Sequence, residues 1–345
     1  MLFLNVLVIL ATICSYLSPH ISPVQFWQFS FLGLIYPWLL LSNLLFIFYW
    51  FFLKKKWVWV SLVCVLLGWS HIGSFVGLSF TKEAPNEKHL KVVTYNVRNL
   101  INLRKKNQVR TIDKKKEQAF FNFLKQEEKI SILCTQECTT FATKIIKNKF
   151  NFVHHFRIPK TGVTSFSKYP IIKKGEVKTN PHDNYCIWVD LKIEDKIIRV
   201  YNLHLFSNQV SIIADKIADG NASEKEEIIE GIRAMMSRFS FTARQRADQA
   251  ERIVNDIAKS PHPVIVCGDF NDTPQSYTYQ TISKNLKDTY KEKGRGFGTT
   301  YAGNIPALHI DHILVDKNIK VHSLEILKGN FSDHYPVVSK ISLPD

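Results

Sequence analysis

Residues 264–274 read VIVCGDFNDTP, an apolar run that stops at a Gly-Asp pair and is followed by Phe270, Asn271 and Asp272. A short β-branched run bounded by turn formers marks a buried strand, and a strand fixes its last residues more tightly than a loop does. Three other stretches also place an acid, an amide or an imidazole where an apolar segment stops: VVTYNVRN at 92–99, ILCTQEC at 132–138 and NFSDHYPV at 330–337. Any one Asn or Asp after a strand is an ordinary turn former. Together, Asn96, Glu137, Asp269, Asn271, Asp333 and His334 describe an oxygen-rich site for a hard metal beside a base, which turn chemistry alone does not require.

The residues around these stretches alternate between the two regular periods. Strands are expected at about 91–96, 130–135, 152–156, 163–167, 186–193, 197–205, 263–268, 309–315, 321–327 and 337–341. Helices are expected between them, at about 112–126, 141–148 and 242–259, with a variable helical stretch at 211–237. In the 242–259 helix Ala243, Ala247, Ala250, Val254 and Ile257 recur at helical spacing and make one buried stripe. Many strands per helix, with the hairpin-like DLKIEDKIIRV at 190–200, indicate two sheets packed face to face with helices outside.

The chain of 345 residues leaves room for an additional part, and the first 80 residues have membrane composition. Leu, Phe, Ile, Val and Trp dominate there, and Lys54, Lys55 and Lys56 are its only Lys or Arg residues. Three transmembrane helices are expected, at about 2–17, 29–52 and 57–78, with Tyr49, Trp50, Trp57 and Trp59 as an interfacial belt. A cleaved signal peptide is the alternative for the first span, but a basic leader and a good cleavage site are both missing. The expected organisation is a membrane anchor at 1–80, a linker at 81–90 and a catalytic domain at 91–345. If the lysine triplet stays cytoplasmic, the catalytic domain lies outside, periplasmic in a Gram-negative cell; Lys82, Lys88 and Lys91 count weakly the other way.

The net charge of +15 falls mostly after residue 80, with runs at 104–106 and 114–116. Such a surface suits a polyanion or an anionic membrane face, and equally an ordinary solvated helix. Six cysteines without a CxxC pair argue against a thiolate zinc site, and nothing marks an obligate protein partner.

With these residues in hand the region from about 90 to 343 resembles the endonuclease/exonuclease/phosphatase superfamily. The matching stretches, in order, are TYNVRNL, TQE, TGVTSFSKYPI, VYNLHL, ARQRADQAERI, VIVCGDFNDTP, HIDHILV and SDHYPV. The resemblance implies a four-layer α/β sandwich and divalent-metal-dependent hydrolysis of phosphoesters. Glu137, supported by Asn96 and Asp333, offers oxygen ligands suited to Mg²⁺ or Mn²⁺. Asp269 would orient and deprotonate the attacking water, and Asn271, two residues on along an extended chain, would bind the phosphate. His334 would contact a phosphoryl oxygen as a cation, oriented by Asp311. In the superfamily the position of His204 holds a phosphate-binding or acid histidine. At the position of Arg98 some members carry a metal-binding acid and others an arginine; here Arg98 reads as a phosphate clamp.

His309 and His312 alternate to the face opposite Asp311 and read as structural or solvent-facing. Ser167-Lys168-Tyr169 reads as a structural turn, and His154, His155, His182 and Asp183 have no evident partner, although Asp183 or Asn184 suits a cleft wall. Three functions fit: a membrane-anchored nuclease, the same chemistry on a lipid headgroup such as sphingomyelin or on a phosphomonoester, and an inactive binding module. The last requires loss of a key residue, and Glu137, Asp269, Asn271 and His334 are all present. The acidic insertion at 208–241 reads as a lid, a membrane contact or a partner surface.

Overall fold

Each residue of Leu90–Asn96 is buried, because this strand is covered on both faces. Val92 enters the core between two sheets, while Val93 and Tyr95 enter a second core under the outer helices. The computed structural model describes residues 1–79, 89–105, 111–125, 130–159, 161–178, 186–207, 225–303 and 305–344. His182, Asp183, Asn184, Lys106 and residues 208–224 of the insertion lie outside them.

The described helices are α1 (Leu2–Leu17), α2 (Pro23–Leu34), α3 (Tyr36–Phe52), α4 (Val58–Leu67), α5 (Trp69–Ile72), α6 (Lys114–Lys125), α7 (Thr140–Phe150), α8 (Lys225–Ile257), α9 (Tyr277–Ser283) and α10 (Thr289–Lys293). The strands are β1 (Val76–Leu78), β2 (Leu90–Asn96), β3 (Ile132–Gln136), β4 (His154–Arg157), β5 (Thr164–Ser167), β6 (Ile171–Glu176) and β7 (Cys186–Ile193). They continue with β8 (Lys196–His204), β9 (Val264–Asp269), β10 (Leu286–Asp288), β11 (Arg295–Phe297), β12 (Asp311–Asp316), β13 (Lys320–Ile326) and β14 (Val337–Ser342). A 3₁₀ segment, Arg98–Leu103, follows β2.

Two six-stranded mixed sheets result, ordered β10-β12-β9-β8-β7-β6 and β13-β14-β2-β3-β5-β4. In each, the central pair is parallel, β8 with β9 and β2 with β3. Val92, Ile132 and Cys134 of one sheet meet Val189, Val200, Ile265, Cys267 and Ile313 of the other in the shared core. Phe120, Phe121 and Leu124 of α6 and Ala142 and Ile146 of α7 cover the second sheet's outer face. On the first sheet, Tyr201 Oη donates to Asp256 Oδ1 near the end of α8 at 2.8 Å. The expectation of two packed sheets flanked by helices is met.

The helical expectation for the described part of 211–237 and for 242–259 needs correction: one continuous helix of 33 residues, α8, runs from Lys225 to Ile257 without a break between them. Nothing between Ser237 and Thr242 breaks helical geometry, so the apolar stripe of Ala243, Ala247 and Ala250 extends back to the buried Phe239.

Contacts divide the chain into two compact units, one of Met1–Val76, Phe206–Ala250 and Asp272–Lys284, the other of Gly77–Leu205, Glu251–Asn271 and Asn285–Asp345. Within the first unit polar groups are inside. Asn5 donates to Ser61 Oγ at 2.7 Å and accepts from Trp50 Nε1 at 3.0 Å. Asn43 donates to Thr12 Oγ1 at 2.8 Å. Phe3, Leu10, Leu45, Phe48, Phe51, Trp59 and Leu67 face outward. At the opposite end from Asn5, Tyr16 stacks on His71 at 5.1 Å and donates to Cys64 O. α1, α3 and α4 therefore run up, down and up, with Lys54–Lys56 exposed at the Asn5 end.

Among the described residues no single helix is long and apolar enough to cross a membrane. The expected span 29–52 is two helices, α2 and α3, bent by 52° where Pro37 cannot continue the ladder, and together they pass by length and composition. The expected span 57–78 stops at Leu67, before Gly68, and ends in a strand. Trp50, expected in an interfacial belt, is interior because its indole N–H satisfies Asn5.

Candidate active site

β2, β3, β8 and β9 end, and β12 begins, at one point. β9 delivers Asp269, paired in register with Asp311 of antiparallel β12 and His204 of parallel β8. β2 from the other sheet delivers Asn96, level with Gln136 of β3 and one residue from Glu137.

Asp269 Oδ2 is the focus. It accepts from Asn96 Nδ2 at 3.1 Å and lies 3.6 Å from His204 Nε2 and 3.7 Å from His334 Nε2. Asp269 Oδ1 accepts the Asn271 backbone N–H at 2.9 Å. Asn271 is not carried by an extended chain as expected: its φ is +50°, a left-handed turn that Asn tolerates, and the turn is what aims it back at Asp269. Its Nδ2 donates to Leu205 O at 3.0 Å. Glu137 also has positive φ, +47°, a conformation held by N–H bonds from Asn99 to its own carbonyl and from Cys138 to Gly162 O.

His334 Nδ1 is 2.9 Å from Asp311 Oδ2. Burial alone would favour the neutral ring, but the charges of Asp311, Asp269 and Asp333 outweigh it and raise the imidazole to about 10. At neutral pH His334 is a cation. Asp311 is pushed up to about 6, first by burial. Its orientation is fixed by Thr300 Oγ1, which accepts the N–H groups of Ile310 and Asp311.

Asp269, Asp311 and His334 present ligand atoms within 4.8 Å of one another and could hold a metal ion. A protonated imidazole has no lone pair to give, so with its two carboxylates this trio suits proton chemistry better. Glu137 Oε1 lies 3.2 Å from the same Asn96 Nδ2 that holds Asp269 Oδ2. These two carboxylate oxygens are hard donors brought to one amide, and they fit Mg²⁺ or Mn²⁺. Asn96 turns its NH₂ to the acids and its Oδ1 to the Arg98 N–H, at 3.1 Å. Asp333 is engaged elsewhere than in a metal shell, 3.3 Å from Arg98 Nε, with its Oδ1 accepting from Ser332.

His309 and His312 are buried, not solvent-facing; their rings lie 4.4 Å apart, with Phe270 edge-on to His312. Their expected structural role holds because the outer face of β12 is covered. Sequence reasoning passed over Ser332, whose Oγ donates to Asn96 O at 2.8 Å, and the buried pair Gln136 and Asn202, joined at 2.8 Å across the two sheets. Both Ser332 and Asn202 stand inside motifs already singled out, SDHYPV and VYNLHL, which was the available signal.

A sequence model described as the endonuclease/exonuclease/phosphatase family matches residues 93–334, and a domain of unknown function matches residues 1–75. Among solved structures, an endonuclease/exonuclease/phosphatase family protein from Bacteroides thetaiotaomicron is 17% identical with TM-score 0.54, covering 75% of this chain and 99% of that one. A mannosyl-6-phosphatase from the same species is 18% identical with TM-score 0.52, covering 74% and 100%. D. rerio TDP2, in complex with a single-strand DNA product, is 12% identical with TM-score 0.53, covering 74% and 100%. At these identities the likeness is one of fold. No curated protein matches the chain.

Proposed function

The chain belongs to the endonuclease/exonuclease/phosphatase family and is a phosphoester hydrolase, and we propose that it is a membrane-anchored, divalent-metal-dependent phosphodiesterase acting on nucleic acid. The convergence of Asp269 Oδ2 with Asn96, His204 and His334 carries the hydrolytic part. Asp269 takes a proton from the attacking water as the water oxygen bonds to phosphorus. The phosphorus–oxygen bond opposite breaks, and His204 returns a proton to the leaving oxygen. The His334 cation and the Asn271 side chain bind the phosphoryl oxygens as charge builds there. Glu137, with Asn96 beside it, would hold Mg²⁺ or Mn²⁺, which supplies charge neutralisation on the phosphate.

Nucleic acid is favoured by charge that begins two residues after Asn96. Arg98, Lys105 and Lys114–Lys116 are exposed and Arg104 is half-exposed, tied to Asn99 O at 2.8 Å. A strand with many phosphates uses such a patch beyond the scissile bond, whereas a small phosphomonoester does not. TDP2 in complex with a DNA product shows that the same fold accommodates this polymer. A lipid headgroup is the second reading, favoured by the helical unit with polar groups inside and apolar groups outside.

That inversion also supports the bilayer placement: lipid accepts Phe48 and Leu67, while Asn5, Asn43 and Ser61 need interior partners. With Lys54–Lys56 cytoplasmic, three crossings within residues 1–80 would leave the chain after residue 79 extracytoplasmic. We place the anchor at 1–80, the linker at 81–90 and the catalytic domain at 91–345.

The test uses the full chain in nanodiscs with plasmid DNA, RNA and sphingomyelin, in Mg²⁺, Mn²⁺ or EDTA. DNA or RNA cleavage abolished by EDTA and by Asp269→Ala is expected; cleavage indifferent to both sinks the mechanism, and sphingomyelin turnover alone selects the second reading. A periplasmic reporter fused after Lys82 should be active, and a cytoplasm-only signal reverses the topology.

A further inference from the structure

Within the second unit two edge strands of different sheets, β4 and β6, approach one another and enclose with α7 a cavity of about 310 Å³. Lys147 of α7, His154 and His155 of β4, and Lys173 and Lys174 of β6 line it, and among the described residues no Asp or Glu does. None of the three lysines meets a carboxylate among the described residues. The β6 side is shaped by a bulge: register slips between Ile171, opposite Leu191, and Lys173, opposite Asp190, so Ile172 is an extra residue. A bulge bends an edge strand and re-aims its side chains. Lys173 and Lys174, neighbours that a regular strand would send to opposite faces, thereby reach one cavity.

Two of these side chains are held in place. Lys174 Nζ lies 5.2 Å from the centre of the Phe156 ring, and the His155 ring lies near-parallel to Phe166 at 6.0 Å. Burial, and after it the charges of Lys147, Arg157 and Lys174, holds His155 below its ordinary pKa, so the field at the ring is positive. Lysines on an edge strand deter pairing with another chain. That purpose needs neither Lys147 from a helix nor two histidines around a concavity. Gathered like charges repel unless an anion shares them, and ammonium groups have no lone pair to give a metal. A phosphate group, compact and rich in acceptor oxygens, matches convergent donors of this kind. The catalytic centre lies elsewhere in the same unit. His154 is opposite Ser167, Ser167 is opposite Ile132, and Ile132 stands four residues before Gln136, which is level with Asn96. At about 3.3 Å per residue and about 4.8 Å per strand the separation is roughly 20 Å, too far for one phosphate to touch both.

We propose that this cavity is a phosphate-binding site apart from the catalytic centre, in which Lys147, Lys173 and Lys174 grip a phosphate group bordered by His154 and His155. The proposal goes beyond the hydrolytic reading and does not depend on it. A free phosphate and a phosphodiester within a strand present the same anionic oxygens to the three lysines.

The experiment uses the full chain in phosphatidylcholine nanodiscs, with ¹³C-labelled histidine, EDTA and constant ionic strength. Inorganic phosphate should move the NMR ring signals of His154 and His155, identified by His154→Gln and His155→Gln, and should saturate them with a Kd of about 1 mM or below. Lys147→Met/Lys174→Met keeps the apolar stems and should weaken that binding about 10-fold or more, with the circular-dichroism spectrum unchanged. A single-stranded oligodeoxynucleotide in place of phosphate separates the two sources. Saturation at a lower concentration of strand phosphate than of free phosphate assigns the site to a strand, and the reverse order assigns it to free phosphate. Ring signals that stay still with both ligands overturn the proposal, and so does undiminished binding in the folded double variant. If the double variant fails to fold, Lys173→Met alone decides by the same loss or its absence.

Discussion

His334 turns Nδ1 to Asp311 at 2.9 Å and Nε2 toward Asp269 at 3.7 Å, a cation held between two buried carboxylates from neighbouring strands. With Asp311 ionised above about 6 and His334 protonated below about 10, the ion pair exists between those values. Activity should hold through neutrality and fall on an alkaline limb near pH 10 in a pH–kcat profile. Asp311→Asn removes the nearest charge with little change of shape, and should move that limb down by about one unit or more.

The same pair sets a pH dependence of stability. The folded pKa of His334 lies above its ordinary 6.5, so its contribution is complete below about pH 6.5 and is lost as pH rises through about 10. Urea midpoints measured from pH 6 to pH 10 should decline in the native chain and decline less in His334→Gln. An equal decline in both assigns the effect to other groups.

Asp269 serves the chemistry and accepts from Asn96 Nδ2 and the Asn271 N–H, bonds that an amide oxygen at the same position can in part keep. Asp269→Asn keeps the size of the side chain and removes the base, so kcat should drop by about 10²–10⁴ while the circular-dichroism spectrum and the melting temperature stay near native. A variant with most of its activity left would move the base elsewhere.

The strand ends were legible because alternation and turn residues are local properties: β2, β7, β9 and β14 lie within one or two residues of where periodicity puts them. What was not legible depends on partners far along the chain. Asn271 turns back by a positive φ that no spacing rule announces, and Asp333 goes to the Arg98 guanidinium and not to Glu137 and Asn96, a choice that geometry alone decides. Composition marked the first 80 residues as membrane-like, but the bend between α2 and α3 comes from Pro37 acting inside a uniformly apolar run. Arg246 and Asp272 stood in the quoted motifs without a visible tie, since their 26-residue separation is closed only by the fold.

Gly268 holds the approach of β9 to β8. Its φ is +151°, and a Cβ there would sit 2.0 Å from Leu203 O, a clash with backbone that no rotamer relieves. Gly268→Ala should lower stability by about 2–4 kcal/mol or more, read as a reduced melting temperature together with reduced activity per folded molecule. A native melting point would mean the strands can separate without cost.

Behind the site, Gln136 Nε2 donates to Asn202 Oδ1 at 2.8 Å and to Thr94 Oγ1 at 3.1 Å, while Asn202 Nδ2 donates to Thr164 O at 2.9 Å. Asn202→Leu removes a bridge between the sheets and leaves a buried Gln136 donor with one partner fewer. The expected cost is about 1–3 kcal/mol, and the double variant Gln136→Leu/Asn202→Leu should cost less than the sum of the two single changes, as measured by a thermodynamic cycle.

Arg98 separates the two substrate readings. It is 46% exposed, paired loosely with Asp333, and it begins the basic stretch that continues through Lys105 and Lys114–Lys116. If those residues grip a nucleic-acid backbone, Arg98→Ala should weaken binding of DNA, and the slope of log K against log salt should fall by about 1. Hydrolysis of bis(p-nitrophenyl) phosphate, which has one phosphate and nothing beyond it, should change far less. Should the variant lose both activities equally, Arg98 acts on the scissile phosphate alone and the extended polyanion surface is refuted, leaving the lipid headgroup as the better substrate.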